Sequence, residues 1–238
     1  MIPVVILAGG LATRLRPITE NIPKSLVEIA GEPFIVHQLR ELNRQGIKDV
    51  VLCVGHLGKQ IEAFVKDGSE YGVRVQYSYE TQKLLGTGGA IRNALSLLNE
   101  AFFVLYGDSW LEIDYRTVSD TFQNSENSAL MTVFRNEGRW DTSNVEMDGD
   151  HIKLYSKDQP NPRMTHIDYG LGILKSEVFE NYSHRKFRPG NSKFDLAEIY
   201  EELSKKRDLA SFEATHRFYE IGSHDGLKEL NGILGVRD

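Results

Sequence analysis

A single cysteine, Cys53, is all that the 238 residues contain, so no intramolecular disulfide can form and a disulfide-stapled scaffold is excluded. Cys53 lies within the apolar run Val50-Val51-Leu52-Cys53-Val54 and reads as a small buried residue rather than a reactive thiol. Long hydrophobic runs are missing as well. The longest are strand-length, far short of the roughly 20 residues that span a bilayer, and the first residues lack the basic head and cleavage region of a signal peptide. A cytoplasmic setting with no membrane partner is expected. Positive charge is also scarce: 34 Asp and Glu outnumber 28 Lys and Arg, a net charge of -6. That balance gives no general attraction for nucleic acid, so any phosphate-bearing ligand must be held by a few locally placed cations. Linkers rich in Ser, Gly or Pro, low-complexity tracts and internal repeats are absent. The seven histidines show no H-E-x-x-H spacing, and no G-x-S-x-G elbow occurs, which leaves zinc chemistry and a serine nucleophile weakly supported.

The residues that are present alternate in period. Pro3 to Ala8 reads as a strand, and Ile35, Leu39 and Leu42 then recur at helical spacing between Pro33 and Gly46. Asp49 to Val54 is a second strand, followed by a stripe of Leu57, Ile61, Phe64 and Val65; Val73 to Tyr79 is a third strand. Ile91, Leu95 and Leu98 mark another helix, and Ala101 to Tyr106 a strand buried on both faces. Such alternation predicts a Rossmann-like α/β fold, a mostly parallel, mixed sheet flanked by helices. Beyond about residue 128, shorter pieces around Met131, Val145, Ile152 and Tyr169 to Leu174 predict an antiparallel lobe continuous with the sheet. Leu196, Ile199, Tyr200 and Leu203 give a further helical face; a short strand near Phe218 to Ile221 and a last helix close the chain. Ligands of open α/β sheets gather beyond the carboxyl ends of strands. The loop after the first strand and the loop at Gly107 should therefore face one crevice.

The first of these loops is Leu7-Ala8-Gly9-Gly10-Leu11-Ala12-Thr13-Arg14-Leu15-Arg16-Pro17, with Pro23-Lys24-Ser25-Leu26-Val27 downstream. Glycines let main-chain N–H groups approach phosphate oxygens, while Thr13, Arg14 and Lys24 add donors and charge. The spacing is neither the dinucleotide G-x-G-x-x-G nor the P-loop G-x-x-x-x-G-K-[ST]. It resembles the G-G-x-x-[ST]-R-L-x-P…P-K signature of the sugar-1-phosphate nucleotidylyltransferases, and the resemblance continues in order over nearly the whole chain.

That resemblance implies one nucleotidyltransferase domain over residues 1–238, about 1–127 holding a nucleoside triphosphate and 128–238 a sugar 1-phosphate in the small antiparallel lobe. It implies triphosphate binding at Leu7, Ala8, Gly9, Gly10, Thr13, Arg14 and Lys24. Arg14 would steady the phosphates and Lys24 the charge at the reacting phosphorus. The loop Leu85-Gly86-Thr87-Gly88-Gly89-Ala90, placed before the Ile91 helix, would take base and ribose; Glu80 is either a further polar contact or a surface acid. Tyr106-Gly107-Asp108-Ser109 and Phe218-Tyr219-Glu220-Ile221-Gly222 match the family's two metal motifs, so Asp108 and Glu220 would hold Mg²⁺, with glutamate standing where the family has aspartate. Asn144, Lys157, Asp168 and Gly170 fall where sugar-phosphate contacts lie. The lysine of the family's Glu-Lys-Pro is retained here as Lys157, but Ser156 precedes it. Trp140 and Trp110 either line that pocket or are core. The base loop looks most like guanylyltransferases acting on heptose or mannose 1-phosphates, which favours GTP. A uridylyltransferase, a silent sugar-nucleotide-binding paralogue and a homo-oligomer are left open, while a dinucleotide-dependent oxidoreductase is disfavoured for want of the spaced glycines.

Overall fold

Four short, β-branched and aromatic runs form the parallel centre of the structure, a computed structural model that describes residues 1–80, 84–180 and 193–236. They are β1 (Val4–Leu7), β4 (Asp49–Val54), β5 (Arg74–Tyr79) and β6 (Ala101–Tyr106). β1 lies between β4 and β6, with Val4 opposite Val50 and Phe103, and β5 extends the β4 side, all parallel. Burial on both faces explains the unbroken apolar runs of β1, β4 and β6, whereas β5 alternates. Val4 and Ile6 point into one core with Ile35, Leu39 and Leu42, while Val5 points into the other with Ala90, Ile91 and Ala94. Each buried Val, Leu or Ile among them contributes about 1.5–3 kcal/mol.

The helices follow their apolar stripes. α1 (Phe34–Arg44) starts after Pro33 and stops at Gly46, whose φ of +81° suits glycine. α2 is Gly58–Val65 and α3 is Gly86–Ala94. α3 begins earlier than the Ile91 stripe suggests: the glycines of the expected base loop form its first turns. Some elements among the described residues have no counterpart in the sequence reading. α4 (Tyr115–Gln123) is capped by Asp114, which accepts from the N–H groups of Arg116 and Thr117. The strand Leu209–Ala214 is also new; its Ala210, Ser211 and Glu213 mask any alternation.

The antiparallel lobe joins the main sheet, as expected. β11 (His166–Lys175) runs antiparallel to β6 and on its other side pairs with β8 (Ala129–Arg135); β9 (Val145–Asp148) and β10 (His151–Tyr155) extend its start. β12 (Leu209–Ala214) adds to β8 in parallel. The hairpin β2 (Glu28–Ile29) and β3 (Glu32–Pro33) packs with Trp110 and the last helix, α6 (His224–Leu234), in a third small core. Trp110 is thus a core residue. Between them α5 (Leu196–Lys206) opens on an Asp195/Glu198 capping box. Two features of the pairing shape the crevice. β7 (Ser109–Trp110) pairs antiparallel with β13 (Tyr219–Glu220), so Glu220 lies opposite Ser109. The register of β11 on β8 also shifts between Asp168 and Gly172, around Gly170 at φ +96°.

Candidate active site

The loops at the ends of β1 and β6 meet as the sheet topology requires. Gly107 N–H donates to the Leu7 carbonyl at 3.1 Å, and a side chain at Gly107 would stand 2.5 Å from that oxygen. Only glycine lets the two strand ends close. From α1, the buried Gln38 amide donates to the Tyr106 and Ser109 carbonyls at 3.3 and 3.0 Å and pins the loop that carries Asp108. The glycine loop is pinned in turn by Thr19, whose hydroxyl donates to the Ala12 carbonyl at 2.7 Å.

A cavity of about 260 Å³ opens between these loops. Its wall includes Leu7, Ala8, Gly9, Gly10 and Lys24 on one side, Glu80, Gly86 and Thr87 on another, and Gly107 and Asp108 at the end. Thr13 and Arg14 sit outside this wall on an exposed 3-10 turn, and Leu85 stands just behind Leu84, which lines it. Glu80 is no surface acid. Its carboxylate accepts from the Leu85 N–H, and it lies where a side chain on Gly9 would come within 2.5 Å of Oε1. Burial raises its pKa, the Leu85 N–H acting against that. Ser25 was not singled out by its sequence context, yet the residue lines the same cavity, its hydroxyl buried and without a hydrogen-bond partner.

At the cavity's end Lys24 Nζ donates to Asp108 Oδ2 at 2.6 Å. Glu220 arrives from the far end of the chain: the Ile221 N–H donates to the Asp108 carbonyl at 2.9 Å, and Glu220 Oε2 and Lys24 Nζ stand 3.8 and 3.7 Å from the position of a Cβ at Gly222. Asp108, Glu220 and Lys24 therefore share one crevice, 112 residues of chain separating the two acids. Burial first, then Asp108, push the Glu220 carboxyl up to about 7, with Lys24 pulling the other way. A carboxylate pair that resists its own second negative charge suits a divalent cation. Mg²⁺ usually takes one or two protein carboxylates and fills its shell with water and substrate phosphates, and among the described residues no cluster of three or more His, Cys, Asp or Glu side chains competes as a metal site.

The residues expected on the sugar side also converge. The Asp168 N–H donates to Asn144 Oδ1 and the Gly170 N–H to Asp168 Oδ1, both at 3.0 Å, across the irregularity in β11. Burial raises the Asp168 carboxyl to about 6. Lys157 Nζ donates to Asp195 Oδ2 at 2.6 Å. Asp195 was missed because a D-x-x-E pattern reads as a helix cap, which it is. Glu146, beside Asn144, is occupied by Lys153 at 2.8 Å and Arg163 at 3.0 Å, which holds it below its usual range. Trp140 is exposed, with the Arg217 guanidinium 3.6 Å from its ring centre.

A fold and crevice of this kind define a nucleotidyltransferase, and the chain belongs to the nucleotidyl transferase family, whose model matches residues 3–234. It is 29% identical to the D-glycero-alpha-D-manno-heptose 1-phosphate guanylyltransferase of Campylobacter jejuni, over 92% of this chain and 93% of that one. It is equally 29% identical to the N-acetylmuramate alpha-1-phosphate uridylyltransferase of Neisseria meningitidis, over 98% of each. Among solved structures, HddC from Yersinia pseudotuberculosis in complex with GMP-PN superimposes with a TM-score of 0.77 at 25% identity, covering 98% of this chain and all of that one. The chain is a member of the sugar-1-phosphate nucleotidylyltransferase group, an EC 2.7.7 type of enzyme.

Proposed function

We propose that the chain transfers GMP from GTP to a heptose or mannose 1-phosphate, releasing pyrophosphate, with residues 1–127 serving the nucleotide and 128–238 the sugar phosphate within one domain. The observation that carries this reading is the pairing of Lys24 with Asp108 at the end of a glycine-lined cavity, with the Glu220 carboxylate nearby. The chemical obstacle is charge: two unit charges 4 Å apart repel by about 4 kcal/mol at an effective dielectric near 20, and both nucleophile and target are phosphates. Lys24, at the cavity's end, sits against the α-phosphate; Arg14, on the adjacent turn, takes charge on the leaving pyrophosphate. Asp108 and Glu220 would hold Mg²⁺, which when bound neutralises phosphate charge. An oxygen of the sugar phosphate attacks the α-phosphorus in line as the bond to pyrophosphate breaks, and no general base is required because that oxygen is already anionic. Asn144, Asp168 and Gly170 orient the sugar, and Lys157 holds its phosphate.

The choice of guanine is supported by Glu80. A carboxylate only accepts. Guanine offers two adjacent donor groups, N1–H and N2–H₂, whereas uracil sets its one donor between two carbonyls. The Neisseria relative keeps a uridylyltransferase as the second reading. No helix among the described residues is long and apolar enough to cross a membrane, and the single cysteine fits a cytoplasmic enzyme. The test is a matrix of nucleoside triphosphates against mannose, heptose, glucose and N-acetylmuramate 1-phosphates, read by pyrophosphate release with and without Mg²⁺. GTP with a manno-configured sugar phosphate should turn over fastest and only with the metal. No release from any pair would overturn the proposal.

A further inference from the structure

Asp195 touches both halves of the crevice at once. One oxygen, Oδ1, accepts from Thr87 Oγ1 at 2.9 Å and from the Ala197 N–H at 3.0 Å; the other, Oδ2, accepts from Lys157 Nζ at 2.6 Å. Thr87 Oγ1 in turn accepts from the Leu196 N–H at 2.8 Å. The preceding residue is fastened to the same loop. Phe194 N–H donates to the Leu85 carbonyl at 2.9 Å, and Gly89 N–H donates to the Phe194 carbonyl at 3.3 Å. A Cβ at Gly86 would stand 2.4 Å from the Phe194 carbonyl oxygen, and one at Gly88 would stand 2.2 Å from the Phe194 ring. The start of α3 therefore cannot shift without carrying Phe194 and Asp195 with it.

We propose that Asp195 is a positioning residue that couples the two substrates, so that sugar 1-phosphate binding at Lys157 depends on occupancy of the Leu85–Thr87 segment by the nucleotide. This rests on the function proposed above, in which Lys157 meets the sugar phosphate and the start of α3 meets the base and ribose. A nucleotide that fixes Thr87 fixes Asp195, and Asp195 then presents the ammonium of Lys157 at a set position. The pair is loosely held, with the Lys157 and Asp195 side chains 56% and 40% exposed, and exposed ion pairs are weak. An ammonium has three donors, so Lys157 can take a phosphate oxygen without first losing Asp195. Ordering that one ligand accomplishes is then no longer required of the second, and linkage makes the effect mutual.

Asparagine at 195 separates this role from the helix cap. Its carbonyl oxygen still accepts from Thr87 and Ala197, asparagine being a good N-cap, while its amide cannot pair with Lys157. The experiment measures, by calorimetry, the Kd of whichever of the four sugar 1-phosphates above turns over fastest, with and without a GTP analogue whose α,β-bridging oxygen is replaced by methylene, and Mg²⁺. Unmodified protein should bind the sugar phosphate about 5- to 150-fold more tightly with the nucleotide analogue present, the usual range of coupling. In Asp195→Asn the factor should fall towards 1 at unchanged Tm, and Asp195→Ser, also a capping residue, should behave alike. An unaltered factor in either variant would overturn the coupling role. Lys157→Met serves as the check on the underlying reading: sugar-phosphate binding undiminished in that variant would overturn the assignment of Lys157, and the proposal with it.

Discussion

Replacing Asp168 by asparagine exchanges a recessed carboxylate for an uncharged amide of the same shape. Burial raises this carboxyl to about 6, against 3.8 as its ordinary value, despite the Gly170 N–H, the Tyr106 hydroxyl and Lys157, all of which favour the anion. The folded chain therefore holds the proton more tightly than the unfolded one. Its contribution to stability is complete below about pH 4 and is lost as pH rises through about 6. The difference is worth up to roughly 3 kcal/mol by pH 8. The amide of Asp168→Asn does not titrate. Urea unfolding of the two proteins should coincide near pH 4, and the variant should be more stable at pH 8 by 1–3 kcal/mol, or about 3–10 °C in Tm for a chain of this size. The same variant should bind sugar phosphate less well, with KM raised on the order of 10-fold, because an amide presents one acceptor in place of two. A variant with the same stability offset at pH 4 and pH 8 would refute the assignment of a strained, functional carboxylate. So would a more stable variant with an unaltered KM.

Three further outcomes rest on the same geometry. Lys24→Met should lower kcat by about 10²–10³-fold, the usual loss on removing one preorganised donor, and steady-state kinetics showing a change in KM alone would assign the lysine to ground-state binding. Glu80→Gln, which turns one acceptor into a donor, should narrow the preference for GTP over UTP by roughly 10- to 100-fold; an unchanged kcat/KM ratio would remove Glu80 from base recognition. Burial, then Glu80, push the Cys53 thiol up to about 12, so a thiol-specific disulfide reagent at pH 8 should modify the folded protein far more slowly than the protein in urea, and equal rates would show that the thiol is accessible.

Much of the fold was legible because β1, β4 and β6 are buried on both faces, β5 alternates, and α1 follows a clean stripe. The elements that escaped notice did so for local reasons. α4 carries a helical stripe of Tyr115, Val118 and Phe122 but over only 9 residues, whereas β12 interleaves alanine, serine and glutamate, so that its period does not stand out. α3 hides its start in glycines because Phe194 packs where side chains would otherwise project. At the site, short-range patterns such as Gly9-Gly10, Pro23-Lys24 and Gly107-Asp108 were readable, since strand ends and phosphate chemistry dictate them. Glu220 meets Asp108 only through the β7–β13 pairing. Asp195 faces Lys157 only because a helix cap happens to lie against the Leu85–Thr87 segment, and Ser25 is set apart only by the burial of its hydroxyl. Contacts between residues so distant in sequence leave no local trace.

The assignment of Asp108 and Glu220 to one metal, opposite the glycine loop and beside Lys24, stands or falls on pyrophosphate release by Asp108→Asn at saturating GTP, sugar phosphate and Mg²⁺. Unmodified protein should release pyrophosphate, and the variant, folded to the same Tm within a few degrees, should release essentially none. Release by the variant at the rate of the unmodified protein would contradict the assignment.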